Sequence, residues 1–290
     1  MPLRKSVLTS VSAIALSLGL AWSAQADVVL PVTNLTFNVF NGTFTPVKTL
    51  FTVAAPTNWA IGTTTGVINN LIGVGEQGSE TSSQGVYAVY PGTGFTNLFP
   101  GVTPAVNFYQ ADGNPQFEST ITQTIPNLTA NTTYDLSFSQ AAGQQTGFSG
   151  ATTEQWKVYL GLGGIGTSCP ANPPGGICTI TGTTGNLLQN SPLMNTPSMG
   201  NHDWESSGVL TFTPTSADLI GGGDTGSAIL TFLAWGNGGS DVNQPPTVFL
   251  EGVNTPPTVP EPATLSLLGV GLLGLGAFSL RRRAKRNAAA

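Results

Sequence analysis

Few side chains in this sequence could do chemistry, and their spacing limits what that chemistry is. His202 is the only histidine among 290 residues, in Asn201-His202-Asp203-Trp204-Glu205. A Ser-His-Asp triad needs a geometry that no spacing here announces, and no Gly-x-Ser-x-Gly elbow is present. His202 therefore reads as part of a polar loop leading into Trp204, a core anchor. Glycoside hydrolysis would instead need two acids roughly 5 to 9.5 Å apart. Glu76 with Glu80, and Asp112 with Glu118, are candidate pairs. Acids scattered over a large surface produce such pairs by chance, so no catalytic residue is assigned and a non-enzyme is expected.

Cys169 and Cys178 are the only cysteines, with eight residues between them in a Gly- and Pro-rich stretch. In an exported chain the simplest expectation is one disulfide, worth about 2–3 kcal/mol by chain entropy for so short a loop. Metal binding by two thiols with no nearby histidine lacks ligands. Oxygen ligands are more plentiful: Asp112-Gly113-Asn114, the Asp224 that ends a run of three glycines, and Asp241. A calcium ion wants about six to eight oxygens, so Asp112, Asn114, Asp224 and Asp241 are candidates for one structural calcium, against the plainer reading of solvated turns. Rings that stack on sugars are the last class. Phe95, Phe99 and Tyr109 stand in the aromatic-rich stretch 86–110, and Trp235 opens Trp-Gly-Asn-Gly-Gly. These four are candidate glycan contacts, although most aromatic rings are core.

The charge distribution says what must surround these residues. Only 8% of the chain is charged, against about 25% in a typical domain. Seven of the nine basic residues lie at the two ends; residues 27–259 hold Lys48 and Lys157 against thirteen acids, a net charge near −11. Such a body repels nucleic acid and anionic lipid. At the start, Arg4 and Lys5 precede an apolar stretch to Trp22 and then Ala24-Gln25-Ala26, the small-x-small pattern of a signal peptide. Signal peptidase is expected to cut before Asp27.

The other end repeats the membrane theme. Val259-Pro260-Glu261-Pro262 precedes an uncharged apolar stretch at 263–280, followed by Arg281, Arg282, Arg283, Lys285 and Arg286. Eighteen such residues are at about the lower limit for crossing a bilayer. The basic cluster holds the C-terminus in the cytoplasm, with the body outside. The prolines keep the motif extended and accessible. This order resembles the PEP-CTERM sorting signal of Gram-negative bacteria. The resemblance implies an exosortase that cuts at or near the motif, an inner-membrane anchor before processing, and a final place on the cell surface or in an exopolysaccharide or biofilm matrix. The expected layout is a signal peptide at 1–26, a body at 27–258 and a sorting signal at 259–290, with its transmembrane helix at 263–280. Two Gly-x-Gly-x-x-Gly matches, at Gly161 and Gly269, lack the strand-turn-helix setting of a nucleotide site.

The body shows short runs of β type and no long helical pattern. Regions 28–40, 86–90, 117–125, 133–139, 156–160, 209–212, 228–233 and 247–253 alternate or concentrate β formers between turn residues. The spacing predicts one all-β sandwich, with 161–199 a long loop insertion holding at most one short hairpin. Certain residues are similar to the galactose-binding-like jelly rolls. They are Asn41-Gly42-Thr43-Phe44, Trp59, Ile121-Thr122-Gln123-Thr124 with Leu128, and Tyr134-Asp135-Leu136-Ser137-Phe138. Trp204, Leu230-Thr231-Phe232 and Phe249-Leu250-Glu251-Gly252-Val253 follow in the same order. Thr45 and Glu251 depart from the Glu and Asp usual in that pattern. The resemblance implies a jelly-roll fold close to carbohydrate-binding modules, and a place for one structural calcium.

Overall fold

The structure is a computed structural model that describes residues 28–34, 37, 56–61, 64–65, 72–76, 89–90, 107–116, 118–168, 177–237 and 246–253. The signal peptide expected at 1–26, the transmembrane helix expected at 263–280 with the rest of the sorting signal, and the Asn41–Gly42 opening lie outside the described residues. The elements are β1 (Val28–Val29), β2 (Ala60–Ile61), β3 (Thr64–Thr65), β4 (Ile72–Glu76), β5 (Asn107–Asp112) and β6 (Thr120–Thr129). Next come β7 (Tyr134–Leu136), β8 (Ser139–Gln144), β9 (Thr152–Gly161), β10 (Gly166–Ser168), β11 (Thr179–Thr181) and β12 (Asn186–Asn190). The chain continues through β13 (Met194–Thr196), β14 (Asn201–Ser206), β15 (Leu210–Phe212), β16 (Thr225–Asn237) and β17 (Pro246–Glu251), with one 3-10 turn at Ser216–Asp218.

Two antiparallel sheets enclose the main core. One runs β12-β9-β16-β6-β2, with β13 also on β9; the other runs β14-β8-β17-β5-β4. The chain crosses between them repeatedly. β5 lies in the second sheet, β6 in the first, β8 in the second, β9 and β12 in the first, β14 in the second, β16 in the first and β17 in the second. The period-two pattern explains which faces meet. Along β9, Thr152, Glu154, Trp156, Val158 and Leu160 are buried, while Thr153, Gln155 and Lys157 between them are half-buried. Trp156, Val158, Leu160, Leu230, Phe232 and Ala234 of the first sheet share a core with Tyr109, Ala111, Ala142, Val248 and Leu250 of the second. Trp156 joins the sheets directly: its indole N–H donates to the Phe249 carbonyl at 3.0 Å. Its ring stands edge-on to Phe232 at 6.1 Å and lies 6.1 Å from Tyr109.

The outer faces are covered as well. Val89, Phe108, Ala141, Trp204 and Phe249 cluster on the far side of the second sheet. Tyr159, Ile165 and Leu233, with Ile180 against them, cluster on the far side of the first. Smaller sheets, β1-β7-β15 and β11-β10-β3, complete the fold.

The sequence expectations need three corrections. Residues 161–199 hold four strands, β10 to β13, rather than one hairpin in a long loop. Their pairing to β9 and to each other supplies the order that their Gly, Pro and Asn content hides. Among the described residues of 28–40 the only strand is the two-residue β1, and Phe37 sits at a left-handed φ of 52° with its ring in the core. Finally, Asn201–Ser206 is strand β14, not a polar loop.

Candidate functional site

The described residues most able to do chemistry gather where β5 ends and turns into β6. The turn is built by its own side chains. Asp112 Oδ1 accepts the Asn114 N–H at 2.7 Å, and Asn114 Oδ1 accepts the Gln116 N–H at 3.0 Å. Asx turns of this kind fold a chain tightly without a ligand. The turn is then pinned on three sides. Gly113 N–H donates to Pro246 O at 2.8 Å, Ala234 N–H to Ser119 O at 3.0 Å, and Cys178 N–H to Pro115 O at 2.6 Å. Thr167 Oγ1 donates to Glu118 O at 2.8 Å. Gly113 lies so near β16 that a Cβ there would stand 3.1 Å from the Gly236 nitrogen.

This anchoring places two acids in little water. Asp112 is 0% exposed and Glu118 is 3% exposed. Burial pushes the Asp112 carboxyl up to about 7; its bond from the Asn114 N–H opposes the rise and the charge of Glu118 adds to it. Glu118 is pushed up to about 7 by burial, against the attraction of Lys157. Asp112 Oδ2 is buried with no hydrogen-bond partner.

Lys157 and Trp235 complete the rim. They project from β9 and β16, where Leu233 is paired with Lys157 and Trp235 with Gln155. Both alternate with core residues, so both belong to the outer face of the first sheet. The Lys157 ammonium stands 4.5 Å from the centroid of the Trp235 ring, an arrangement worth about 1 kcal/mol. Partial burial lowers the Lys157 pKa, and Glu118 opposes that fall. Tyr159, two residues along β9, is raised by burial and by Glu118.

Of the residues singled out from sequence, the structure unites Asp112, Asn114, Glu118 and Trp235. It does not bring Asp224 to them. Asp224 is exposed at the opposite end of β16 from Trp235, roughly 35 Å away for eleven extended residues. Among the described residues no group of three acid, histidine or cysteine side chains could hold a metal. With Asp224 at the far end of β16, Asp112, Asn114 and Asp224 do not share one site; Asp241 lies outside the described residues. Tyr109 is also corrected. Its ring is 0% exposed, packed between Phe37 and Trp156, and cannot stack on a sugar. Phe95, Phe99, Glu80 and the sorting residues Val259 to Pro262 and Arg281 to Arg286 lie outside the described residues, as do Ala24, Ala26 and Asp27. Cys178 is disulfide-bonded; Cys169, the second cysteine of the chain, lies outside the described residues. His202 faces Glu205 at 3.2 Å and Asn195 O at 3.4 Å, partners that supply no nucleophile. Lys157 and Tyr159 escaped the sequence reading. The signal was present in Lys157 itself, one of only two bases in an acidic body.

Comparison with known proteins identifies only the C-terminal end of the chain. No curated protein matches the chain. Among solved structures, the enzymatically active domain of bacteriophage CBA120 tailspike protein 4 is similar at 11% identity and a TM-score of 0.33, over 68% of this chain and 19% of that one. Among the described residues no helix is long and apolar enough to cross a membrane. Residues 258–283 match the PEP-CTERM protein-sorting motif. The chain thus carries, at its C-terminal end, the PEP-CTERM sorting signal of exported proteins, for which an exosortase is the processing partner.

Proposed function

We propose that the chain is an exported surface or extracellular-matrix protein of a Gram-negative bacterium whose jelly-roll body binds exopolysaccharide without catalysis. In this reading signal peptidase removes residues 1–26. The 263–280 helix holds the body at the inner membrane until an exosortase acts at Val259 to Pro262. The strand order favours the jelly roll. The orders β14-β8-β17-β5 and β12-β9-β16-β6 place successive strands in alternate sheets, the pattern of two Greek keys wound together.

The observation that carries glycan binding is the partly exposed Trp235 ring, held by Lys157 beside a rim of fixed polar groups. A preorganised ring offers a sugar face a large apolar contact at little cost in ordering. The Asp112–Glu118 pair favours a second reading, glycoside hydrolysis, because the two groups interact and both are pushed up to about 7. Burial argues against it. Asp112 is 0% exposed, and a general acid or nucleophile must reach the scissile bond.

Retention of the full-length chain on the host's immobilised exopolysaccharide tests both readings. Trp235→Ala is expected to weaken retention about tenfold or more, by loss of the stacking face. Unchanged retention in that variant would place binding elsewhere. New reducing ends that appear with the intact chain and vanish in Glu118→Gln would replace binding with hydrolysis.

A further inference from the structure

Lys157 is the one Lys or Arg among the described residues, and it stands where the glycan reading places the ligand. Its ammonium rests on the Trp235 ring at 4.5 Å and makes no ion pair with any described carboxylate. Lysine in an acidic protein ordinarily finds an acid. The neighbouring acids are held by the folded turn: Asp112 takes the Asn114 N–H, and Glu118, whose charge reaches Lys157, is buried with its backbone carbonyl taken by Thr167 Oγ1. The result is a positive charge and an aromatic face, both half-buried, at one point of the rim.

We infer that this rim takes a carboxylated sugar, a uronate or an equivalent acidic unit of a polysaccharide, with the Lys157 ammonium on the carboxylate and the Trp235 ring against the sugar face. The inference rests on the reading of the body as a glycan-binding module and names its ligand class. A neutral sugar would need only the ring and would leave the ammonium without an anion. The general acidity of the body does not forbid an anionic ligand. Beyond about 8 Å its charges are screened at physiological salt, whereas contact with Lys157 is direct.

The neighbouring groups add a pH dependence of definite sign. Asp112 and Glu118 are largely neutral below about 7 and ionised above it. Raising the pH therefore ionises Glu118, the acid whose charge acts on Lys157, and adds negative charge beside the ligand carboxylate. The other titratable groups on the packed strands do not oppose this. Tyr159 is raised and stays neutral, and Glu154 faces the core side of β9. β12 and β16 carry no titratable side chain. Cys178 is in a disulfide.

The test compares binding of the full-length chain to polyglucuronate and to a neutral glucan of matched length, at about pH 5.5 and about pH 8.5, where the uronates are ionised throughout. Polyglucuronate is expected to bind about tenfold more tightly than the glucan at the lower pH and to lose most of that advantage at the higher, the size of one partly desolvated charge contact. Lys157→Gln should bring the two polymers to equal affinity and remove the pH dependence. Lys157→Arg should restore the preference, which a merely structural role for the lysine would not predict. Equal binding of the two polymers, or a preference indifferent to Lys157→Gln, overturns the inference and leaves the glycan module standing. Failure to bind either polymer, with Trp235→Ala also without effect on the host polysaccharide, overturns both.

Discussion

Trp156→Ala is expected to cost about 4 kcal/mol of folding stability, within the range for large buried aromatic residues. Ordinary domains have roughly 5–15 kcal/mol in all. Three losses combine in that figure. The indole is 0% exposed and among the largest fully buried side chains. Its removal leaves a cavity bounded by Tyr109 and Phe232, which belong to opposite sheets and cannot both close on it. The Phe249 carbonyl loses its 3.0 Å indole donor, and one such hydrogen bond is worth about 1 kcal/mol. Trp156→Phe keeps most of the volume and loses the donor, so it should fall about midway. Urea unfolding of the two variants measures both numbers. A loss below about 1 kcal/mol for the alanine variant would mean that Trp156 does not bridge two packed sheets.

Stability should also rise as the pH falls from about 8 to about 5, opposite to the trend of proteins held by salt bridges. Asp112, Glu118 and Glu154 are each pushed up to about 7, first by burial. Thr196 Oγ1 donates to Glu154 Oε2 at 2.8 Å and moderates the last of these. A carboxyl raised in the folded state holds its proton there while the unfolded chain has released it. Its burial is therefore harmless below the unfolded pKa, near 4. The folded state loses ground as the pH climbs from there toward 7, and the full penalty is present above 7. A rise of about three units corresponds to at most about 4 kcal/mol per group, and Asp112 and Glu118 share part of theirs by titrating together. Asp112→Asn can keep the bond from the Asn114 N–H through its amide oxygen. It is expected to stabilise the protein by about 2 kcal/mol at pH 8 and to change little at pH 5, so thermal unfolding against pH should flatten. An unaltered slope would mean that Asp112 is hydrated in the folded chain.

The contrast between β9 and β5 shows what the sequence made legible. In β9 a buried series headed by Trp156 alternates with half-buried Thr, Gln and Lys, so its period and its inward face can be read directly. β6 is legible for the same reason. In β5, Asn107 to Asp112 are buried on both faces, which erases alternation. In β8, Ser-Gln-Ala-Ala-Gly-Gln offers small and polar residues with no β signature, although all six are buried. Such strands exist because neighbours on both sides require them, a tertiary demand that local pattern does not carry.

The site divides along similar lines. The proximity of Asp112 to Glu118 followed from a short separation in sequence. The rejection of Asp224 and the burial of Tyr109 depended on strand direction and on which face met the other sheet. Lys157 met Trp235 only because β9 and β16 pair in one register of several open to them.

A C-terminal sorting signal behind a sandwich with a charged aromatic rim requires that the chain be trimmed at that signal. Intact mass of the protein released by cells that possess an exosortase tests this. The predicted product begins at Asp27 and has lost the apolar stretch and basic cluster beyond Pro262, and deleting the exosortase or replacing Pro260, Glu261 and Pro262 retains the longer form in the membrane. Released protein still carrying Arg281 to Arg286 would contradict the account.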